Sequence, residues 1–234
     1  MLRAICTLLM LASMVGCSMT RPQEGLREAS RAYDNRDYAK AYELYRAAAL
    51  KGDGTAQIMA GNMSFHGDGA PLDFKEAFKW YQMAAKQNIA EAQLSLGFMY
   101  ENGLGVQKNQ EEAFTFYKLA AEQGEAVAQY KLGKMYHDGY GVQRDHQEAM
   151  KWYRFAAGQG NADAQCNLGL MYYEGTVTPR NVNEAFAWMF VAQANGSELA
   201  SGFTALMALY ASPKQYDEAR TLGMEYLAEF GRKK

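Results

Sequence analysis

Residues 91–100 read Glu-Ala-Gln-Leu-Ser-Leu-Gly-Phe-Met-Tyr. Ala92, Leu96 and Tyr100 stand at i, i+4 and i+8, one stripe of an α-helix. Gly97 lies beside that stripe and removes a side chain where a second helix must come close. Gly103-Leu-Gly105 ends the helix, because glycine supplies the left-handed backbone of a C-terminal cap. Asn109 can cap the next helix. There Ala113, Phe116, Tyr117 and Ala120 stand at i, i+3, i+4 and i+7 and form a buried face. Gly124 closes it. The stretch therefore predicts two antiparallel helices, each roughly 20 Å long.

The same pattern returns at a spacing of 36 residues. Ala-Gln occurs at 56–57, 92–93, 128–129 and 164–165, and Gly61, Gly97, Gly133 and Gly169 follow in step. Tyr100, Tyr136 and Tyr172 share one register, which Ser64 breaks, and Glu76, Glu112, Glu148 and Glu184 share another. Asp73, Asn109, Asp145 and Asn181 are the predicted caps of the second helices. Trp80-Tyr81, Phe116-Tyr117, Trp152-Tyr153 and Trp188-Met189 fall on their buried faces. Self-similarity at such a period is the mark of a repeat array.

The flanks extend the array. Leu26, Ala29 and Tyr33, then Ala41, Leu44, Tyr45 and Ala48, make a degenerate first pair, with Asp37 capping its second helix. Residues 198–210 and 214–230 make a last pair. Outer units of an array are expected to be atypical. The sequence thus predicts an all-α protein, an α/α solenoid of about six antiparallel helix pairs over 25–231. No Ser- or Pro-rich linker interrupts it, which reads as one domain.

The pattern Ala-Gln-x-x-Leu-Gly-x-Met-Tyr, Gly-x-Gly-Val, Glu-Ala and Trp-Tyr-x-x-Ala-Ala resembles the Sel-one-like repeat family, a relative of tetratricopeptide repeats. The resemblance is strong over 53–196 and weaker over 25–52 and 197–231. It departs at Ser64, Ala70, Asn88 and Val177, so loop 174–180 is expected to differ in shape. The resemblance implies a scaffold or adaptor that binds another protein. Some members are rich in cysteine, with a disulfide in each repeat, and are associated with β-lactam binding or hydrolysis. This chain lacks those cysteines. An envelope enzyme acting on peptidoglycan or β-lactams, and a structural subunit of an export assembly, remain the alternatives to an adaptor.

Residues 1–17, Met-Leu-Arg-Ala-Ile-Cys-Thr-Leu-Leu-Met-Leu-Ala-Ser-Met-Val-Gly-Cys, carry one Arg and then an uncharged apolar run of signal-peptide size. Met14-Val15-Gly16-Cys17 resembles the bacterial lipobox. That resemblance implies cleavage after Gly16, removal of residues 1–16 as a signal peptide, and acylation of Cys17, with 17–24 as a tether. Ser18 implies delivery to the outer membrane, facing the periplasm, so the membrane is met through the N-terminal lipid. Cys6 leaves with the signal, and Cys166 remains as a lone thiol.

The composition excludes other classes. The chain has 234 residues, 24 Lys+Arg against 26 Asp+Glu for a net charge of −2, and 49% hydrophobic residues. That is ample for a core and gives no electrostatic reason for nucleic-acid binding. No cofactor and no metal are expected. His66, His137 and His146 read as exposed or loop residues without other ligands at metal spacing. The recurring glutamates read as first-turn residues favoured by the helix dipole. No catalytic constellation emerges, so the chain is not expected to be an enzyme.

First helices of tetratricopeptide-like pairs line the concave surface, and the candidate protein-binding residues follow from that register. They are Phe65, then Leu94, Phe98 and Glu101, then Tyr130, Lys134 and His137, then Leu170 and Tyr173. Neighbouring positions in the same registers include Ile58, Asn62 and Cys166. These positions vary between units while the packing positions repeat. Cys17→Ser is expected to leave an unprocessed precursor without lipid, checked by metabolic labelling with palmitate. Normal processing and membrane retention of that variant would contradict the lipobox reading.

Overall fold

A computed structural model describes residues 24–230, apart from the side chains of residues 207, 208 and 210. Residues 1–16, expected to be a signal peptide, Cys17 and the expected tether up to residue 23 lie outside the described residues. The described residues form helices and no strand. Where the sequence reads one uninterrupted domain, the chain divides into two compact units, Met1–Lys108 and Asn109–Lys234. The first holds α1 (24–34), α2 (Tyr38–Ala49), α3 (Gly54–His66), α4 (Phe74–Ala85) and α5 (Ala90–Asn102). The second holds α6 (Gln110–Glu122), α7 (Ala126–Asp138), α8 (His146–Gly158), α9 (Ala162–Glu174), α10 (Val182–Ala194), α11 (Glu198–Tyr210) and α12 (Pro213–Phe230).

The predicted caps do the local work. Asp73 accepts hydrogen bonds from the Lys75 and Glu76 amides, and Asp145 accepts them from Gln147 and Glu148. Asn109 and Asn181 accept from Glu112 and Glu184, each at 3.1 Å, and Asp37 accepts from Lys40. Each satisfies an amide that the helix start leaves without an intrahelical partner. Asp53 and Asn161 cap first helices in the same way, at 2.8 and 2.9 Å. Asn88 takes the left-handed conformation that Gly52, Gly124 and Gly160 take in the other units, with φ 60°. Asparagine is among the few residues that adopt it readily.

Two glycine registers set the packing. A Cβ on Gly61 would stand 2.6 Å from the Tyr81 ring, and one on Gly133 would stand 2.7 Å from the Tyr153 ring. In these two pairs the second helix lays its tyrosine in that notch, and at Gly169 Met189 takes the same place. The second loop glycine does more than relax the backbone. A Cβ on Gly105 would meet the Phe74 carbonyl of α4, and one on Gly141 the Gln110 carbonyl of α6. Each loop is thus pressed against the start of the preceding second helix. At Val177 φ is not positive, so that loop changes course as expected.

The repeated glutamine is the buried polar element. Gln57, Gln129 and Gln165 donate Nε2 to the carbonyls of Ala49, Ala121 and Ala157, at the ends of the preceding second helices. Their Oε1 atoms accept from Gln87, Gln159 and Asn195, which follow their own second helices. Gln87 and Gln159 in turn donate to the Gly52 and Gly124 carbonyls.

The ends of the array depart from a simple pairing. α12 spends its packing on α10, where the sequence reading paired it with α11. Trp188 of α10 stacks on Phe230 at 5.4 Å, and the Tyr226 hydroxyl donates to Glu184 at 3.0 Å. Gly223 lets α12 approach Phe190.

Gln129→Leu removes an acceptor from Gln159 and a donor from Ala121. Ala121 keeps the Gly124 amide and Gln159 keeps the Gly124 carbonyl, so the expected cost is that of two lost hydrogen bonds, about 0.5–1.5 kcal/mol each, read as a lower urea midpoint. Hydrogen-exchange protection should fall mainly in α6–α8, because coupling in an array runs through neighbours. Gln82→Leu on the exposed side of α4 should change stability by less than about 0.5 kcal/mol.

Candidate protein-binding face

Each first helix turns its Ala, Gln, Leu and Gly positions inward. Ala92, Gln93, Leu96 and Gly97 of α5 are buried, as are Ala128, Gln129, Leu132 and Gly133 of α7. The candidate positions lie on the remaining arc.

In the first unit, Phe98 is 39% exposed, and its ring lies 6.2 Å from that of Phe65. Phe65 is half-buried, with Phe74 at 5.0 Å and His66 at 5.2 Å. Leu94 and Glu101 are half-buried. Ile58, in the register of Leu94, is buried with Ala84 and Ala92 and belongs to the core.

In the second unit, Tyr130 is half-buried 6.1 Å from Tyr153, and burial pushes its phenol up. Lys134 is exposed, but its ammonium pairs with Asp138 at 2.6 Å. Leu170 packs on the cluster of Cys166, Met189, Ala192 and Ala200. Tyr173 is 38% exposed, lies edge-on to Phe203 at 5.2 Å, and has the Arg180 guanidinium 4.5 Å over its ring. Cys166, in the register of Leu94 and Tyr130, is buried beside the Met189 sulfur, and burial pushes its thiol up. A thiol so placed is poorly reactive.

The histidines need correction. His137 and His146, read as exposed or loop residues, are half-buried 5.1 Å apart, and neither Nδ1 has a hydrogen-bond partner. They occupy the places of Phe65 and Phe74 two repeats earlier. An apolar ring pair in one unit is an imidazole pair in another, because the second-helix start packs on the first-helix end in both. Phe74 and His146 stand at the starts of second helices and so outside the first-helix registers of the candidate binding positions. The residue after each cap also varies (Phe74, Gln110, His146, Val182), which was the available signal. Phe203 and Arg180 carried no such signal.

The recurring glutamates have separate local tasks. Glu148 accepts from Lys151 at 3.0 Å and from the Trp152 indole, whereas Glu184 holds Tyr226. Among the described residues, no group of three or more His, Cys, Asp or Glu could hold a metal ion. No described helix is long and apolar enough to cross a membrane.

The Sel1 repeat model matches residues 33–53, 54–89, 90–125, 126–161 and 162–192. The chain belongs to the Sel1 repeat family. The last four matches begin at the first residues of α3, α5, α7 and α9. A Sel1 repeat protein from Oxalobacter formigenes superposes with a TM-score of 0.75 at 30% identity, over 86% of this chain and 84% of that one. c5321, described as a protective antigen of uropathogenic Escherichia coli with an SLR fold, gives 0.59 at 27% identity. That match covers 90% of this chain and 54% of c5321. Immunity protein Pa5087 from Pseudomonas aeruginosa gives 0.51 at 21% identity, over 90% and 81% of the two chains, and shares the fold. No curated protein matches the chain. The helix-pair repeat fold of this family is the general form of a protein-interaction scaffold.

The His137 environment gives a pH dependence. Burial lowers its pKa, opposed by Asp138 and Glu174 and aided by His146 and Lys134. A histidine with a lowered native pKa binds protons more readily when unfolded, so its contribution to stability falls as pH drops through about 6.5. His137→Phe, which restores the Phe65 residue type, should flatten the loss of melting temperature between about pH 7 and pH 5. An equally steep loss in the variant would place the acid sensitivity elsewhere.

Proposed function

We propose that this Sel1 repeat chain is a lipid-anchored scaffold of the bacterial envelope that binds another protein through the concave face lined by its first helices. The observation that carries this reading is a contrast within the repeat. The Ala, Gln, Leu and Gly positions recur and are buried. The register of Phe98 instead holds Asn62, Lys134 and Leu170, and the register of Tyr173 holds Phe65, Glu101 and His137. The buried Ala, Gln, Leu and Gly positions do not fix the residue type in these registers, which suits the registers to recognition of a particular partner. Phe98 and Tyr173, one on each unit, are the aromatic side chains of the set with the greatest exposure, and aromatic rings are enriched where binding energy concentrates. The anchor and the outer-membrane address rest on Met14–Cys17 and Ser18. A scaffold rather than an enzyme is the reading that the family favours.

The test uses the full chain as bait, crosslinked in membranes of the source cells, with captured proteins identified by mass spectrometry. Phe98→Ala combined with Tyr173→Ala should weaken capture, with about 2 kcal/mol lost at each anchor. Helical circular dichroism should stay near wild type. The second-helix pair Lys79→Ala with Lys151→Ala should leave capture intact. The opposite pattern would move the binding surface to the second helices or the loops.

A further inference from the structure

The last first helix carries an apolar face that no described residue covers. α11 presents Leu199, Gly202, Leu206 and Leu209, one repeat after Asp163, Cys166, Leu170 and Tyr173 of α9. In α9 a side chain of the following first helix covers part of this arc. Phe203 of α11 meets Tyr173 edge-on and packs, with Leu170, on the cluster around Cys166 and Met189. In α11 no further first helix follows among the described residues, and α12 has folded back along α10. Leu199, Leu206 and Leu209 are 67%, 55% and 76% exposed, and a Cβ on Gly202 would meet nothing within 4 Å.

The order of residues on this arc points to the occupant. Spaced at three, four and three residues, they follow the seam of two packed helices. Laid antiparallel on itself, the stripe sets Leu199 against Leu209 of the second copy, and Gly202 against Leu206. Each Leu206 then enters the notch that the other copy's glycine leaves. The only charge on α11 is Glu198 at its start, so the antiparallel pair separates the two like charges to opposite ends. A parallel pair would bring them together and set one empty notch against the other. We propose that α11 is a self-association surface, pairing two copies of this chain about a two-fold axis. Such an isologous contact closes on itself and does not propagate into a fibre. One helix stripe is smaller than the roughly 800 Å² per partner of a stable interface, so the dimer forms in a concentration-dependent way. This association is independent of the protein partner proposed above.

Sedimentation velocity of the full chain between about 1 and 200 µM tests it. The wild type should shift from monomer to dimer within that span. Leu206→Glu combined with Leu209→Glu should remain monomeric throughout, with unchanged helical circular dichroism. Leu72→Glu, at an exposed leucine in a loop, should associate like wild type. The register is tested by mixing: Leu206→Glu alone and Gly202→Lys alone should each be monomeric, while their equimolar mixture dimerises through the facing Glu and Lys. A monomeric wild type overturns the proposal, as does association that survives the double glutamate variant. A mixture that stays monomeric overturns the two-fold pairing.

Discussion

The glutamine at 57, 129 and 165 is a polar group in an otherwise apolar interior, and its needs govern the spacing of the repeat. A buried amide left without partners costs more than its hydrogen bonds return. The carbonyls it meets, those of Ala49, Ala121 and Ala157 near helix ends, also accept the amides of Gly52, Gly124 and Gly160, so the glutamine occupies their second lone pair. Its own oxygen is satisfied by the amide that follows the next second helix. One side chain therefore joins the ends of two successive second helices. Shifting either helix by a residue would take from the glutamine amide the partners of its donor or its acceptor. An alanine-rich interface alone would tolerate such slips.

Departures from the repeat are matched by changes at the positions they touch. Tyr100 and Tyr136 meet Phe78 and Phe114 edge-on, each at 5.4 Å. In the first unit Ser64 replaces the tyrosine and Tyr42 replaces the phenylalanine, and the two share a buried hydrogen bond at 3.3 Å. One ring is lost, and a buried hydrogen bond takes the place of the edge-on ring contact. Asn88 likewise replaces a glycine at a left-handed turn and uses its side chain to accept from Gln93. The degenerate first pair is thus a packed part of the core, with Ala29, Ala41 and Tyr45 in the same cluster as Met63 and Trp80.

The binding arc was legible as a register and less so as a surface. Variation among Phe98, Lys134 and Leu170 located it, and Phe98 and Tyr173 do stand exposed. In the neighbouring register of Leu94 and Tyr130, Ile58 and Cys166 are core, since a position on the edge of an arc is covered or open according to the next helix. Lys134 is tied to Asp138 on its own helix, a pairing its i, i+4 spacing permitted but did not require.

The sequence by itself determined the helices, their caps, their glycine notches and the 36-residue register, because each depends on contacts within a few residues of chain. Asp73 caps α4 whatever packs against it, and Leu96 lies on the Ala92 stripe by helical geometry alone. Only the tertiary structure decided the partnerships made over longer separations. α12 lies on α10 because Tyr226, Phe230 and Gly223 fit Glu184, Trp188 and Phe190. His137 and His146 become half-buried neighbours because a loop returns one to the other. Periodicity states which side of a helix is apolar. It does not state which neighbour will cover that side, and the choice falls to shape and to the polar groups that burial must satisfy.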